Sequence, residues 1–231
     1  MAGMRLRPGP PLLAAPASRW AVALLACCAI IVTVLGVLFA HQVRVDRFDQ
    51  AVDSPIIAWF SGHQRLGQWL VFPGSLTAAA AVSAVIVAAC LLAGRLNGAV
   101  LAAVAVLAAE GLNEGVLKPL VHRTYLGNLV YPSGHATAVF ALAATVTVLL
   151  LVAPEPGKAG RLRILVPAAA GLVGVVVAVA LIGLRWHYFT DTVAGAAVGT
   201  GTVCGLALLL DLPAARRWMS RASRQLSMAP G

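Results

Sequence analysis

Six apolar runs alternate with short polar stretches along the chain, from about 20 to 40, 69 to 93, 99 to 118, 135 to 153, 164 to 184 and 191 to 210. A helix that crosses a bilayer needs about 20 apolar residues, so the pattern predicts an all-α bundle of six transmembrane helices. The polar intervals leave no room for a separate soluble domain, and residues 1–231 read as one membrane-embedded domain. Its parts are a basic tail (1–19), a loop (41–68), a core rich in unusual polar residues (118–195) and a second basic tail (211–231). Within the loop, Ile56, Ile57, Trp59 and Phe60 mark one face of a helix lying in the membrane interface. Leu24-Leu25-Ala26-Cys27 has a faint likeness to a lipoprotein cleavage box, but the apolar run continues to Ala40. A cleaved signal has an apolar core of only about 7–15 residues, so the first run is expected to be an uncleaved anchor.

Composition narrows the class. Hydrophobic residues make up 60% of the chain and charged residues 11%, against about a quarter charged in soluble domains. A water-soluble globular enzyme is excluded on that ground. The four cysteines (Cys27, Cys28, Cys90, Cys204) all fall inside apolar runs, where a thiol behaves as a small hydrophobe rather than part of a disulfide framework.

Charge sets an expected orientation. Counted on alternate sides of the six runs, eleven Lys and Arg fall on one face and six on the other, with net charges of +9 and 0. The positive-inside rule puts the basic face, and with it both termini, in the cytoplasm of a cell whose plasma membrane holds the chain. The overall charge of +9 is then a topology signal, and its spread over short segments argues against a nucleic-acid partner.

Ionisable groups at membrane depth are costly and mark function by default. Glu110, Asn113, Glu114 and Lys118 share one face of the third helix through three- and four-residue spacings. Beyond them come His122, Arg123, Tyr125 and Pro132-Ser133-Gly134-His135, and across the bundle Arg185, His187 and Asp191 reach the same outer boundary. Ser133-Gly134-His135 opens a helix after a proline, which leaves unpaired N–H groups and a positive dipole end for an anion. Gly134 lets the backbone approach that anion closely. Lys118 and Arg123 supply charge suited to phosphate oxygens. His187 and Asp191 are four apart, so the carboxylate can hold one ring nitrogen and leave the other as an exposed lone pair. His135 is then placed to supply a proton to a leaving group. These are the parts of phosphoryl transfer through a covalent histidine intermediate. No cofactor and no metal are called for.

The order of lysine and arginine, then Pro-Ser-Gly-His, then His-x-x-x-Asp resembles the type 2 phosphatidic acid phosphatase superfamily over about Lys118 to Gly195. The resemblance implies a six-helix membrane phosphatase acting on lipid phosphates. It implies His187 as nucleophile, Asp191 as its orienter and His135 as general acid, with Lys118, Arg123, Ser133 and Gly134 binding the phosphoryl group. The Arg-Pro that usually follows the lysine by seven and eight residues is replaced by Tyr125-Leu126, and the usual Ser-Arg ahead of the nucleophile by Ala180-Leu181. Arg185, two residues before His187, is the nearby base that stands in. Asn113, Glu114, Tyr125 and His122 are expected around these groups. The partners implied are the bilayer and a lipid phosphate monoester or isoprenoid diphosphate, met on the extracytoplasmic side. The rival reading is a transporter or a non-catalytic scaffold that uses the same basic pocket to bind lipid phosphate.

Overall fold

The computed structural model describes residues 9–151 and 159–228, so residues 154–158 of the connector between the fourth and fifth runs lie outside the described residues, as do Arg5 and Arg7 of the first tail. The chain is all-α apart from one two-residue ladder. Its helices are α1 (Ala15–Leu38), α2 (Arg47–Phe60), α3 (Gln64–Val71), α4 (Leu76–Leu92), α5 (Leu96–Leu112), α6 (Lys118–Val121), α7 (Gly134–Leu151), α8 (Ala159–Gly183), α9 (Phe189–Asp211) and α10 (Pro213–Met228). The strands β1 (Thr124–Tyr125) and β2 (Asn128–Leu129) pair antiparallel between α6 and α7.

Among the described residues, four helices are long and apolar enough to cross a membrane: Ala15–Leu38, Leu96–Val121, Gly160–Gly183 and Phe189–Asp211. They correspond to the first, third, fifth and sixth runs. The second run is not one straight helix: residues 64–74 and 76–92 form a pair bent by 42°, a fifth span if counted together. The break falls at Phe72-Pro73-Gly74, where proline removes a backbone donor, and Ser75 restarts the helix by accepting the Ala78 N–H at 3.2 Å. The fourth run is a shorter apolar helix, Gly134–Leu150. A helix does form around Ile56: it is α2, which Asp46 caps by accepting the N–H groups of Phe48 and Asp49.

Helix α9 is the hub, packed by α1, α5 and α7. It meets α7 through glycine. A Cβ at Gly199 would meet the Thr137 carbonyl and, at 2.8 Å, the Ala141 nitrogen; one at Gly195 would meet the Ser133 carbonyl and, at 3.0 Å, the Ala136 Cβ. Small residues at this seam let the two backbones touch, as in membrane helix pairs generally. Large apolar side chains instead line the outside: Trp20, Val85, Leu92, Leu107, Ile164 and Leu172 are all more than half exposed. Such a continuous apolar exterior has no counterpart in soluble monomers and is the surface a bilayer covers.

The first described residues and the end of α9 meet. Leu12 and Leu13 each donate a backbone N–H to the Asp211 carboxylate at 2.7 Å, and Asn97 donates to the Pro10 carbonyl at 2.6 Å. The start of α10 follows directly. The first described residues and the start of α10 therefore lie at the Asp211 end of α9, opposite the end that begins at Phe189.

Candidate active site

The far end of α9 carries the polar cluster. A cavity of about 550 Å³ opens there, a size suited to a small-molecule site. Its polar lining comes from four places in the chain: Glu110, Glu114 and Lys118 from α5–α6, Gly134 and His135 from the start of α7, Arg185 and His187 from the loop before α9, and Tyr125 from β1. Its apolar wall includes Leu76 and Ala138. A second cavity, also about 550 Å³, adjoins it and shares Tyr125, Leu126, Arg185 and His187 while adding Arg44 and Asp53. The two histidines that the sequence set 52 positions apart thus face one space.

Local folding explains each placement. Between α5 and α6 the chain takes a π-helical turn, Asn113–Leu117, a local widening often found at functional sites. Glu114 pairs with Lys118 across 2.6 Å. Their side chains are 52% and 15% exposed, so the ammonium is the more enclosed partner. The twelve residues after Lys118 hold two backbone features that turn the chain back: His122 at φ 52° ends α6, and β1–β2 folds over to Val130. At the start of α7, Ser133 is fully buried and caps the helix: its Oγ accepts the Ala136 N–H at 3.5 Å and its carbonyl the Thr137 N–H at 2.9 Å. Among the described residues this leaves the amides of Gly134 and His135 without an internal acceptor, at the positive end of the helix dipole. Gly134 lies close under both carboxylates: a Cβ there would stand 3.2 Å from Glu114 Oε1 and 3.3 Å from Glu110 Oε2. The His135 ring lies edge-on to Trp186, with centroids 5.8 Å apart.

His187 sits in the loop between α8 and α9. Its Nδ1 is 3.0 Å from the carbonyl oxygen of Val130. A carbonyl only accepts, so Nδ1 carries the hydrogen and Nε2 the lone pair. Burial, reinforced by the charge of Lys118, lowers the pKa of this ring from 6.5 to about 3. The ring is therefore neutral at any ordinary working pH. Asp191 Oδ2 lies 4.0 Å from His187 Nδ1, beyond hydrogen-bond range. The nearer holder of the ring is Val130, an acceptor that the sequence reading did not single out.

Asp191 is committed elsewhere. It accepts the Tyr188 N–H at 3.0 Å, completing the cap of α9, and it accepts from Arg123 Nη1 at 2.7 Å. Arg123 is fully buried and lies outside both cavity linings. Besides Asp191 it donates to Thr190 Oγ1 at 2.8 Å and to Asp49 Oδ2 at 2.6 Å, and its guanidinium stacks between the rings of Phe39 and Tyr188. Burial alone lowers its pKa, but Asp191 and Asp49 outweigh burial and the net shift is upward. The expectation that Arg123 touches phosphate is thus replaced by a structural bridge from α2 to α9. Ser133 likewise serves the helix cap rather than the cavity surface.

Two residues of α2 complete that bridge without having been anticipated. Asp49 accepts the N–H and the hydroxyl of Thr190 at 3.0 and 2.7 Å, and Asp53 accepts the Phe189 N–H at 3.2 Å. Two carboxylates from α2 thereby cap the first turn of α9. Burial and the neighbouring charge of Asp49 raise the pKa of Asp53 from 3.8 to about 7. Of the remaining candidates, Tyr125 lines both cavities and packs against Tyr188, with ring centroids 4.8 Å apart and planes tilted by 48°. Asn113 is buried and reaches Glu114 Oε1 at 3.4 Å. His122 is exposed and packs on His41, outside the cavity lining. Leu181 is fully buried in an apolar cluster with Phe60 and Val71. Arg185, exposed and at φ 59°, is the guanidinium that faces both cavities.

No protein-family profile and no curated protein sequence matches the chain. Among solved structures it is similar to the first transmembrane PAP2 type phosphatidylglycerolphosphate phosphatase from Bacillus subtilis, with a TM-score of 0.61 and 18% identity over 83% of this chain and 95% of that one. The chain therefore has the fold of a membrane PAP2-type phosphatase.

Proposed function

We propose that this chain is a multi-pass membrane lipid phosphatase that releases phosphate from a lipid phosphate through a phosphohistidine on His187. One observation carries the reading: a neutral histidine with its free nitrogen available shares a cavity with a second histidine, a lysine, an arginine and an open helix N-terminus. The fold similarity supports the same class.

The chemistry runs in two steps. His187 Nε2 attacks phosphorus, forming an N–P bond as the ester P–O bond breaks. His135 gives its proton to the departing oxygen, a general-acid role. Water then attacks phosphorus, the N–P bond breaks, His135 takes the proton back and inorganic phosphate leaves. Lys118, Arg185 and the amides of Gly134 and His135 face the equatorial oxygens, where preorganised charge lowers the barrier most. Asp191 acts through position and field, holding the start of α9 and Arg123, while Val130 fixes the nucleophile's tautomer. The adjoining cavity gives water an approach to the phosphohistidine and phosphate a way out.

Six spans, with α7 as the short sixth, put both termini on one side and this cavity on the other. The positive-inside count makes the terminal side cytoplasmic and the cavity extracytoplasmic, in the plasma membrane. A lipid head then enters from the side with its tail left in the bilayer. The test is inorganic phosphate release from a panel of lipid phosphates by the purified chain in detergent, with and without chelator. Release is expected to survive chelator and to fall by several orders of magnitude in His187→Ala. Full activity in that variant discards the mechanism.

A further inference from the structure

The cavity that takes a phosphate is walled on one side by carboxylates. Glu110 and Glu114 both line it, with oxygens 3.3 and 3.2 Å from where a Cβ on Gly134 would stand. At 1.5 Å per residue, Glu114 lies about 6 Å and Glu110 about 12 Å along the helix from Lys118, toward the middle of the span Leu96–Val121. Lys118 marks the level of the transferred phosphoryl group. The two carboxylates therefore flank the path that the leaving group takes from that level toward the bilayer. Glu114 pairs directly with Lys118 at 2.6 Å. Glu110 Oε1 is buried away from the cavity surface, and Oε2 is the oxygen that stands on the Gly134 side.

We infer, on the basis of the phosphatase reading above, that Glu110 and Glu114 form a specificity wall that admits an uncharged, hydroxyl-bearing leaving group and turns away a diphosphate. Hydroxyls on the leaving group donate to the carboxylate oxygens of Glu110 and Glu114 that line the cavity. A diphosphate offers the opposite, because its leaving group is a phosphate that is itself anionic and accepts rather than donates. The charges lining the cavity say the same. Lys118 and Arg185 are balanced by Glu110 and Glu114, which leaves a single phosphoryl group to be stabilised by the amides of α7 and not a second one. Discrimination by facing like charge or acceptor against acceptor is a common device for excluding a close analogue.

The experiment compares three substrates on the purified full chain in detergent: a lipid with a phosphate monoester on a hydroxyl-bearing glycerol, a long-chain alkyl phosphate without hydroxyls, and a polyprenyl diphosphate. The wild type is expected to favour the first over the diphosphate by at least tenfold in kcat/KM, with the alkyl phosphate between them. Glu110→Gln and Glu114→Gln keep the side-chain size, remove the charge and are expected to narrow that ratio about tenfold, chiefly by gain on the diphosphate. A wild type that prefers the diphosphate, or a ratio unmoved in both variants, overturns the wall. Absence of phosphate release from every substrate overturns the proposed function instead. The wall is then judged by calorimetric binding of a phosphonate and a bisphosphonate analogue. A preference for the phosphonate that Glu110→Gln erases supports it, and equal wild-type affinities overturn it.

Discussion

Asp49 is the residue through which helix α2 holds the cavity end of α9, and its removal has a calculable effect. It is fully buried and accepts three hydrogen bonds, from Arg123 Nη2 at 2.6 Å, from the Thr190 N–H at 3.0 Å and from the Thr190 hydroxyl at 2.7 Å. Asp49→Ala strands all three donors and leaves Arg123 with Asp191 as its close carboxylate. Breaking a buried ion pair by deleting one partner costs about 3–5 kcal/mol. For a chain of this size each kcal/mol lowers the melting temperature by roughly 2–4 °C, which gives a fall of roughly 6–20 °C. Asp49→Asn keeps an acceptor for Thr190 and loses only the charge, so its fall is expected to be less than half as large. Turnover follows the same order, because Thr190 lies three residues from His187 and the freed first turn of α9 no longer holds Tyr188 and Asp191 in place. Since Lys118 and Arg185 are untouched, the loss is expected in kcat more than in KM. Tryptophan fluorescence during heating and phosphate release at a temperature well below both midpoints measure the two effects. An Asp49→Ala protein that melts and turns over like the wild type refutes the reasoning.

Other expectations follow from the same geometry. Nitrogen-15 spectra of histidine-labelled protein, assigned with His187→Asn, are expected to show the ring of His187 neutral with its hydrogen on Nδ1 from pH 5 to 8, since its pKa is held at about 3; a titration near 6.5 contradicts the assignment. The unfolded ring takes a proton near 6.5 while the folded one resists it, so His187 makes the fold progressively less stable as pH falls from about 6.5. Asp53 acts in the same chemical sense but with the opposite outcome over its own range. Its carboxyl keeps a proton up to about 7 when folded, so its contribution weakens as pH rises from about 4 to 7, and Asp53→Asn is expected to flatten that part of a stability–pH curve. Arg185→Ala is expected to lower kcat/KM about ten- to hundredfold, the worth of one charge-assisted contact, with no change in melting; an unchanged rate removes Arg185 from the site. Gly199→Ala forces a methyl into the Thr137 backbone and is expected to cost about 1–3 kcal/mol, read as a lower midpoint in the same heating assay.

Much of this was legible in the sequence because membranes make the code simple. Four of the six apolar runs became full-length helices at nearly their expected bounds, since length and hydropathy alone decide what crosses hydrocarbon. The bend at Phe72–Gly74 was foreshadowed by Pro73-Gly74. His135, His187, Lys118, Arg185, Gly134 and Glu114 do line one cavity, and they were visible because ionisable groups stand out in so apolar a chain. What hid was the identity of each partner. The Val130 carbonyl is a backbone group and has no letter in the sequence. Arg123 carries the charge a phosphate wants, and only its depth in the fold reveals that three carboxylates lie within 4 Å, two at hydrogen-bond distance and Asp46 at 3.6 Å. A signal for Asp49 and Asp53 did exist: acids at positions 46, 49 and 53 repeat at helical spacing on one face of α2, and a face so acidic beside a membrane needs cations or helix ends to meet.

The glycine seam between α7 and α9 has a bearing on how such a protein changes over time. His135 rides on one helix and Asp191 on the other, and the two are held main chain to main chain at Gly195 and Gly199. The spacing between His135 and Asp191 is thus set without any side chain whose size drift could alter it. Residues facing the lipid are free to vary with the thickness and fluidity of the host bilayer, while the chemistry at the mouth stays in register like a hinge pin in a door that is often repainted.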